Sequence, residues 1–286
     1  MESLKLSWLG HPLVELKGRA IKLETRKAAA LLAYLSLNPG ECPREVLATM
    51  FWQESNQQKA LANLRRTLSS LNSSLPGWIE ADRETIRLKR NGNLWVDVEA
   101  LHQLRSQLKQ HNHPENEVCN KCLSMLDKIA ELYRDDFLEG LNLIDSPTFD
   151  DWQFFQRDGL RQEFAEVLQR LSFGHSERGK WGQAILHAQR WLALDRMNEP
   201  ACRALMDLYA RSGQKTAALH QYEELTHLLK EQVGQEPEQE TRRLYEQIRG
   251  REEAKRVTES PDHSTSYPLL KTKLYIHTAP VSRVIR

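Results

Sequence analysis

The chain has 286 residues, 40% of them hydrophobic and 28% charged, and its net charge is +1. This length and composition predict two globular domains plus a tail, and no stretch is apolar enough to cross a bilayer. The N-terminus lacks a secretory signal pattern and the four scattered cysteines do not resemble a disulfide framework, so we expect a cytoplasmic protein with reduced thiols.

Charge is unevenly distributed along the chain. Residues 1–95 carry a net charge of +5, residues 96–250 carry −7 and residues 251–286 carry +3. A basic first segment followed by an acidic one indicates that only the first segment meets a polyanion.

The first residues predict a small antiparallel sheet of three strands, because apolar and polar side chains alternate and turn residues separate the runs. The alternating apolar residues are Leu4, Leu6 and Trp8, then Val14 and Leu16, then Ile21 and Leu23.

Three helices are predicted to follow. Thr25 fits the N-cap of the first helix, and Pro43 is predicted to open the second. The third helix is expected over residues 57–72, with an apolar stripe formed by Leu61, Leu64, Leu68 and Leu71. The opposite, polar face of this helix is formed by Lys59, Asn63, Arg66 and Ser70.

Residues 78–90 read as a β-hairpin around Asp82-Arg83-Glu84-Thr85. The order of strands, three helices and hairpin is that of a winged helix. The predicted fold is therefore mainly α, with a winged helix and small sheets over residues 1–95 and a helical domain over residues 96–250. Residues 251–286 are expected to form a linker or tail.

The helical segment contains an internal repeat. A shift of 34 residues places Leu171 on Leu205, Gly179 on Gly213, Ala184 on Ala218 and Leu194 on Leu228. Thirty-four residues is the tetratricopeptide period, so we expect stacked helix pairs with a concave face.

The third helix and the hairpin predict an interface with duplex DNA. Asn63 and Arg66 are the candidates for base edges, since amide and guanidinium groups can read bases in the major groove. A solvated amphipathic helix is the competing interpretation. The candidates for phosphate contacts are Lys59, Arg65, Ser69 and Ser70 on the helix, Arg83, Arg87, Lys89 and Arg90 on the hairpin, and Arg26 and Lys27 at the start of the first helix.

Two motifs are interpreted as structural. The sequence GHSERGKW over residues 174–181 satisfies the first seven positions of a phosphate-binding loop, but Trp181 replaces the hydroxyl residue that would bind magnesium. The residues with zinc-ligand chemistry are His111, His113, Cys119 and Cys122, whose spacing is not that of a standard zinc finger. We therefore predict no cofactor, no metal and no catalytic residues.

The winged-helix segments TRKAAALLAYL, PREVLATMFW, KALANLRRTLSSL and WIEADRETIRL resemble the OmpR-like winged helix of activators of the Streptomyces antibiotic regulatory protein type. The segments LALDRMNEPACRALMDLYARSGQKTAALHQYEEL and VGQEPEQETRRLYEQI resemble the bacterial transcriptional activation domain of the same family. The resemblance covers about residues 4–249. It implies transcriptional activation, with the third helix, including Asn63, Arg65 and Arg66, as the recognition helix.

The final segment, LLKTKLYIHTAPVSRVIR, resembles the entry to the signal-transducing ATPases of maltose-regulator-like activators. ATP binding is not carried over to this chain. We expect double-stranded DNA as the partner of the winged helix, and RNA polymerase or a second copy of the chain as the partner of the helical domain. An interaction scaffold without DNA binding is the alternative function.

Overall fold

The computed structural model describes residues 3–111 and 117–259, with side chains described up to residue 250. The fold is mainly helical, as predicted, with small sheets near the N-terminus. The strands are β1 (Leu4–Ser7), β2 (Leu13–Leu16), β3 (Arg19–Ala20), β4 (Cys42–Pro43), β5 (Ile79–Ala81), β6 (Thr85–Leu88) and β7 (Leu94–Val96). The helices are α1 (Arg26–Leu37), α2 (Arg44–Phe51), α3 (Gln57–Ser74), α4 (Asp97–Gln110), α5 (Asn120–Leu132), α6 (Pro147–Ser176), α7 (Trp181–Leu194), α8 (Glu199–Arg211), α9 (Lys215–Val233) and α10 (Gln239–Glu259).

The first sheet has the strand order β3-β2-β1-β7. The expectation of a third strand at Ile21 and Leu23 is wrong, since β3 consists of Arg19 and Ala20. Lys17 and Gly18 both have positive φ, at 55° and 75°, and form a two-residue hairpin turn. Such a short turn makes the third strand begin immediately after it.

The fourth strand of this sheet was not predicted. β7 pairs in parallel with β1, placing Leu94 opposite Leu4 and Val96 opposite Leu6. Asp97 then begins α4 directly. The segment before α4 is thus part of the N-terminal sheet.

The three helices of the winged helix form with small differences from expectation. Thr25 caps α1 by accepting a hydrogen bond from the backbone N–H of Ala28 at 3.1 Å. Pro43 lies in β4 and at the N-cap of α2, where its φ of −60° suits extended backbone. Pro43 was expected to be the first residue of α2, but it precedes the helix. α3 extends two residues beyond the expected Asn72, to Ser74.

The second sheet has the order β4-β6-β5 and contains the expected hairpin. β5 and β6 pair with Ile79 opposite Leu88 and Ala81 opposite Ile86. Ile86 is fully buried, which fixes the hairpin on the helices.

The helical segment repeats as expected. The pairs α6/α7 and α8/α9 end their first helices at turns where Gly179 and Gly213 adopt φ of +68° and +85°. Ala184 and Ala218 are both fully buried at the equivalent place in the second helix. The repeated small residues allow the two helices of each pair to pack closely.

The winged helix and the helical region share one continuous hydrophobic core. The backbone N–H of Leu138 donates to the carbonyl of Trp8 at 2.8 Å, and the hydroxyl of Ser146 donates to the carbonyl of Phe51 at 2.9 Å. The rings of Phe51 and Phe149 lie 5.1 Å apart. These contacts fix the start of α6 on the end of α2, and the segment before α6 on the residue after β1.

Among the helices of residues 3–111 and 117–259, none is long and apolar enough to span a membrane.

Candidate nucleic-acid interface

Helix α3 presents one face to the core and one to solvent. Asn56 caps the helix by accepting a hydrogen bond from the backbone N–H of Lys59 at 2.9 Å. The buried face consists of Ala60, Leu64, Leu68 and Leu71, whereas Leu61 of the predicted stripe is half-buried. Arg66 follows Leu64 by two residues and is therefore turned by about 200° around the helix axis. Its side chain is exposed at the centre of the outer face.

The two other candidates on α3 lie on opposite flanks of the helix. Arg65 and Asn63 are each about 100° from Leu64, in opposite directions. Arg65 is exposed and Asn63 is half-buried. Because only Arg66 lies at the centre, the three side chains meet different parts of any ligand placed against α3.

Arg65 lines a groove between α3 and the β5–β6 hairpin. Arg44, at the start of α2, and Arg83, at the hairpin turn, line the same groove. A guanidinium nitrogen of Arg44 donates to the backbone carbonyl of Asp82 at 2.6 Å. Sequence reasoning missed Arg44, whose position beside a Pro at a predicted helix start was the available signal.

The turn of the β5–β6 hairpin is fixed by Asp82. One oxygen of its carboxylate accepts hydrogen bonds from the backbone N–H groups of Thr85 and Glu84, both at 2.7 Å. These bonds lower the pKa of the Asp82 carboxyl. Arg83 lies between Asp82 and Glu84, at the exposed tip of the hairpin. This is the position expected for a residue at the tip of a wing.

The side chain of Lys27 makes contacts within the protein. Its ammonium group donates to the carbonyl of Phe51 and to the carboxylate of Asp145, both at 2.7 Å, and lies over the ring of Trp52. Only 17% of the Lys27 side chain is exposed. We therefore remove Lys27 from the phosphate-contacting set.

Three further candidates have partners within the chain. Arg87 pairs with Glu80 at 2.8 Å and with Glu41 at 3.3 Å. Arg90 donates to the carbonyl of Ser36 and pairs with Glu99. The hydroxyl of Ser70 donates to the carboxylate of Glu24 at 2.6 Å, an acidic neighbour that disfavours a phosphate. These contacts make the three residues weaker candidates than the sequence suggested.

Apart from the half-buried Asn63, the remaining candidates are exposed, and within the described ranges no ion pair involves them. They are Arg26, Lys59, Arg65, Arg66, Ser69, Arg83 and Lys89. Lys59, Arg66 and Ser69 share the outer face of α3, and Arg83 and Lys89 lie on the hairpin. Of these exposed candidate cations, all but Arg26 at the start of α1 thus lie on α3 and the adjoining hairpin.

Residues 96–249, from the end of β7 into α10, match the family model of the bacterial transcriptional activator domain. This match spans more than half of the chain. The chain belongs to the bacterial transcriptional activator domain family. The resemblance to activators of the Streptomyces antibiotic regulatory protein type is confirmed, and the family is one of transcriptional regulators.

The fold resembles that of Mycobacterium tuberculosis EmbR, solved in complex with a low affinity phosphopeptide. The TM-score is 0.69 at 19% sequence identity, and the match covers 88% of this chain but 66% of EmbR. A weaker match, with a TM-score of 0.40 at 14% identity, is to the C-terminal tetratricopeptide-containing domain of a Plasmodium falciparum putative FK506-binding protein. It covers 56% of this chain and 93% of that domain. No curated protein sequence matches the chain significantly.

Within the transcriptional activator domain, the phosphate-loop-like segment forms a helix end. Gly174 lies in α6, and a Cβ at that position would come within 2.9 Å of Val118. Gly179 forms the turn into α7. The backbone N–H groups of Glu177, Arg178, Gly179 and Lys180 all donate to carbonyls in the last turns of α6.

Two side-chain clusters in the described part of the transcriptional activator domain have metal-ligand chemistry. One consists of His111, Cys119 and Cys122, and the other of Asp127, His175 and His187. His113, the fourth residue of the zinc pattern considered above, lies outside the described residues, as does the segment resembling an ATPase entry.

Proposed function

We propose that this regulator binds specific DNA sequences and activates transcription, with α3 in the major groove and the β5–β6 hairpin along the neighbouring backbone. The observation that carries the proposal is the outer face of α3, where Arg66 is exposed at the centre and Lys59 and Ser69 lie beside it. A helix inserted into the major groove reads bases with the side chains at the centre of its outer face.

The contacts divide into two kinds. Arg66 is proposed to read a base edge, because a guanidinium group can donate two hydrogen bonds to guanine. Asn63 is proposed to read an adjacent base from the flank of the helix. The residues proposed to contact phosphates are Arg26, Arg44, Lys59, Arg65, Ser69, Arg83 and Lys89.

The net charges of the two regions indicate which region binds DNA and which binds a protein partner. Residues 1–95, with a net charge of +5, are proposed to form the DNA-binding domain in the cytoplasm. Residues 96–250, with a net charge of −7, are proposed to contact RNA polymerase or a second copy of the chain. An acidic surface is repelled by DNA, so this region suits a protein partner better.

The test is selection of bound duplexes from a random DNA pool, at two salt concentrations, with the purified chain. We expect recovery of a short repeated site. On that site, Arg66→Ala should reduce discrimination between the preferred base and the others by about 1–3 kcal/mol at one position. Lys89→Ala should weaken binding to all sequences and reduce the salt dependence by about one phosphate contact.

Arg196→Ala is the matched control, because Arg196 is an exposed arginine in the turn between α7 and α8. It should leave both affinity and discrimination unchanged. Absence of any preferred site, or of binding at low salt, would contradict the proposal and favour an interaction scaffold.

A further inference from the structure

His111, Cys119 and Cys122 converge where α4 ends and α5 begins. The Nδ1 atom of His111 lies 3.3 Å from the sulfur of Cys122 and 3.8 Å from the sulfur of Cys119. All three potential ligand atoms lie within 4.8 Å of one another. Residues separated by three to eleven positions in sequence thus bring one imidazole and two thiols to a single point.

These distances fit a tetrahedral metal. With zinc–sulfur bonds of about 2.3 Å and zinc–nitrogen bonds of about 2.0–2.1 Å, tetrahedral angles separate sulfur from nitrogen by about 3.5 Å. The two observed sulfur–nitrogen distances lie on either side of this value. A sulfur and imidazole donor set favours zinc over magnesium or calcium, which prefer oxygen ligands.

The local backbone supports two thiolates. Cys119 is the N-cap of α5, and its sulfur accepts a hydrogen bond from the backbone N–H of Cys122 at 3.4 Å. Both sulfurs lie at the positive end of the helix dipole, which stabilises negative charge. Cys122 is fully buried, and burial raises the pKa of its thiol, so its deprotonation would accompany metal binding.

The α5 side of the cluster is held in place by α6. Arg178 donates to the carbonyls of Val118 and Gly174, both at 2.6 Å. The absence of a side chain at Gly174 lets Val118 and Leu123 approach α6 closely. The two cysteines are therefore positioned independently of His111, which comes from the end of α4.

We propose that His111, Cys119 and Cys122 bind one zinc ion that fixes the end of α4 to the start of α5. Both cysteines would bind as thiolates, so loading releases two protons to solvent. Among the described residues these three side chains are the proposed ligands, and the fourth position of a tetrahedral zinc would take a further ligand or water. Because α4 begins at β7 of the winged helix, the ion would stabilise the first helical hairpin behind the DNA-binding region.

The cluster of Asp127, His175 and His187 is less suited to a metal. The rings of His175 and His187 are stacked, with centroids 5.3 Å apart and planes inclined by 9°. A metal binds in the plane of an imidazole, and two rings stacked face to face do not direct their lone pairs to one point.

The test uses the reduced full chain, stripped of metal and titrated with cobalt(II) as a spectroscopic substitute for zinc. We expect one cobalt per chain, with the charge-transfer absorption of cobalt–thiolate bonds, and displacement of cobalt by one equivalent of zinc. Cys122→Ser should abolish the absorption, and His111→Ala should weaken cobalt binding at least tenfold. Cys202→Ser, which changes another buried cysteine, should retain the full signal.

Circular dichroism shows whether each variant is folded, and so distinguishes loss of the metal site from loss of the fold. In the folded wild-type chain, zinc should raise the melting temperature, whereas in folded Cys122→Ser or His111→Ala it should not. A wild-type chain that shows no cobalt–thiolate absorption, or a Cys202→Ser variant that loses it equally, would overturn the proposal. DNA binding is measured separately, so this result does not depend on the proposed function.

Discussion

The ammonium group of Lys27 lies 2.7 Å from the carboxylate of Asp145, linking the first helix of the winged helix to the segment that precedes α6. The two residues are 118 positions apart in sequence. The same ammonium group also binds the carbonyl of Phe51. Lys27 therefore joins the two regions of the chain.

Lys27→Met should lower stability without altering the salt dependence of DNA binding. The variant keeps the apolar stem but removes the ion pair with Asp145 and one of the two donors to the carbonyl of Phe51, which keeps the hydroxyl of Ser146. We expect a cost of about 1–2 kcal/mol in the free energy of unfolding. Urea unfolding measures the first effect, and binding at several salt concentrations measures the second.

Arg26→Met is the matched control, since Arg26 is the exposed neighbour of Lys27. It should change stability by less than about 0.5 kcal/mol and reduce the salt dependence instead. The opposite pattern in the two variants would restore Lys27 to the phosphate-contacting set.

Substitutions of Lys89 and Arg90, at the end of the hairpin, should also have different effects: one on the salt dependence of DNA binding and the other on stability. Arg90 binds the carbonyl of Ser36 at the end of α1 and the carboxylate of Glu99 in α4, whereas Lys89 is exposed. Arg90→Ala should destabilise the fold by about 1 kcal/mol. Lys89→Ala should leave stability unchanged and reduce the logarithmic salt slope by about 0.9.

Thermal unfolding and salt titration of both variants on one DNA duplex check this prediction. Equal loss of DNA affinity in both, with stability unchanged in both, would mean that Arg90 contacts DNA and that its internal contacts are dispensable.

Local patterns in the sequence were enough to predict the elements that carry the proposed interface. The spacing of Leu64, Leu68 and Leu71 predicts α3 and its outer face, and the 34-residue shift predicts the turns at Gly179 and Gly213. In each case the signal is contained within a helix or a helix pair. Periodicity reports such short-range structure well.

Long-range pairing could not be predicted in this way. The pairing of β7 with β1 joins Leu94 to Leu4, and no local pattern specifies a partner so distant in sequence. The same applies to Lys27, whose charge suggests a surface residue until Asp145 and Phe51 are placed beside it. Charge alone therefore overestimates the number of residues available to DNA.

Asp97→Asn should destabilise the junction between the winged helix and α4. One carboxylate oxygen of the buried Asp97 accepts from the backbone N–H of Leu9 at 2.8 Å, and the other accepts from the N–H of Val98 at 2.8 Å. Asparagine must turn its NH₂ group towards one of these donors, leaving an N–H unsatisfied. We expect a loss of about 1–3 kcal/mol in unfolding free energy.

Asp207→Asn is the control for that change, because 51% of the Asp207 side chain is exposed. It should alter stability by less than about 0.5 kcal/mol. Similar unfolding curves for Asp97→Asn and the wild type would show that the two hydrogen bonds do not stabilise the junction.

His187, whose ring is stacked on that of His175, should make stability depend on pH. Burial lowers the pKa of His187 to about 4, assisted by His175 and Arg190 and opposed by Asp127. The ordinary pKa of histidine is about 6.5, so the unfolded chain binds a proton at this site over a range where the folded chain does not. The folded state is therefore fully favoured above about pH 6.5 and loses stability as the pH falls to about 4.

His187→Phe removes this titration. The drop in unfolding free energy between pH 7 and pH 4 should be smaller in the variant by about 3 kcal/mol, since one pKa unit corresponds to 1.36 kcal/mol. His220→Gln is the control, because 68% of the His220 side chain is exposed, and it should keep the wild-type pH dependence. Urea unfolding at a series of pH values measures all three chains. An unchanged pH dependence in His187→Phe would mean that His187 titrates equally in the folded and unfolded states, and burial of this imidazole would then contribute nothing to acid sensitivity.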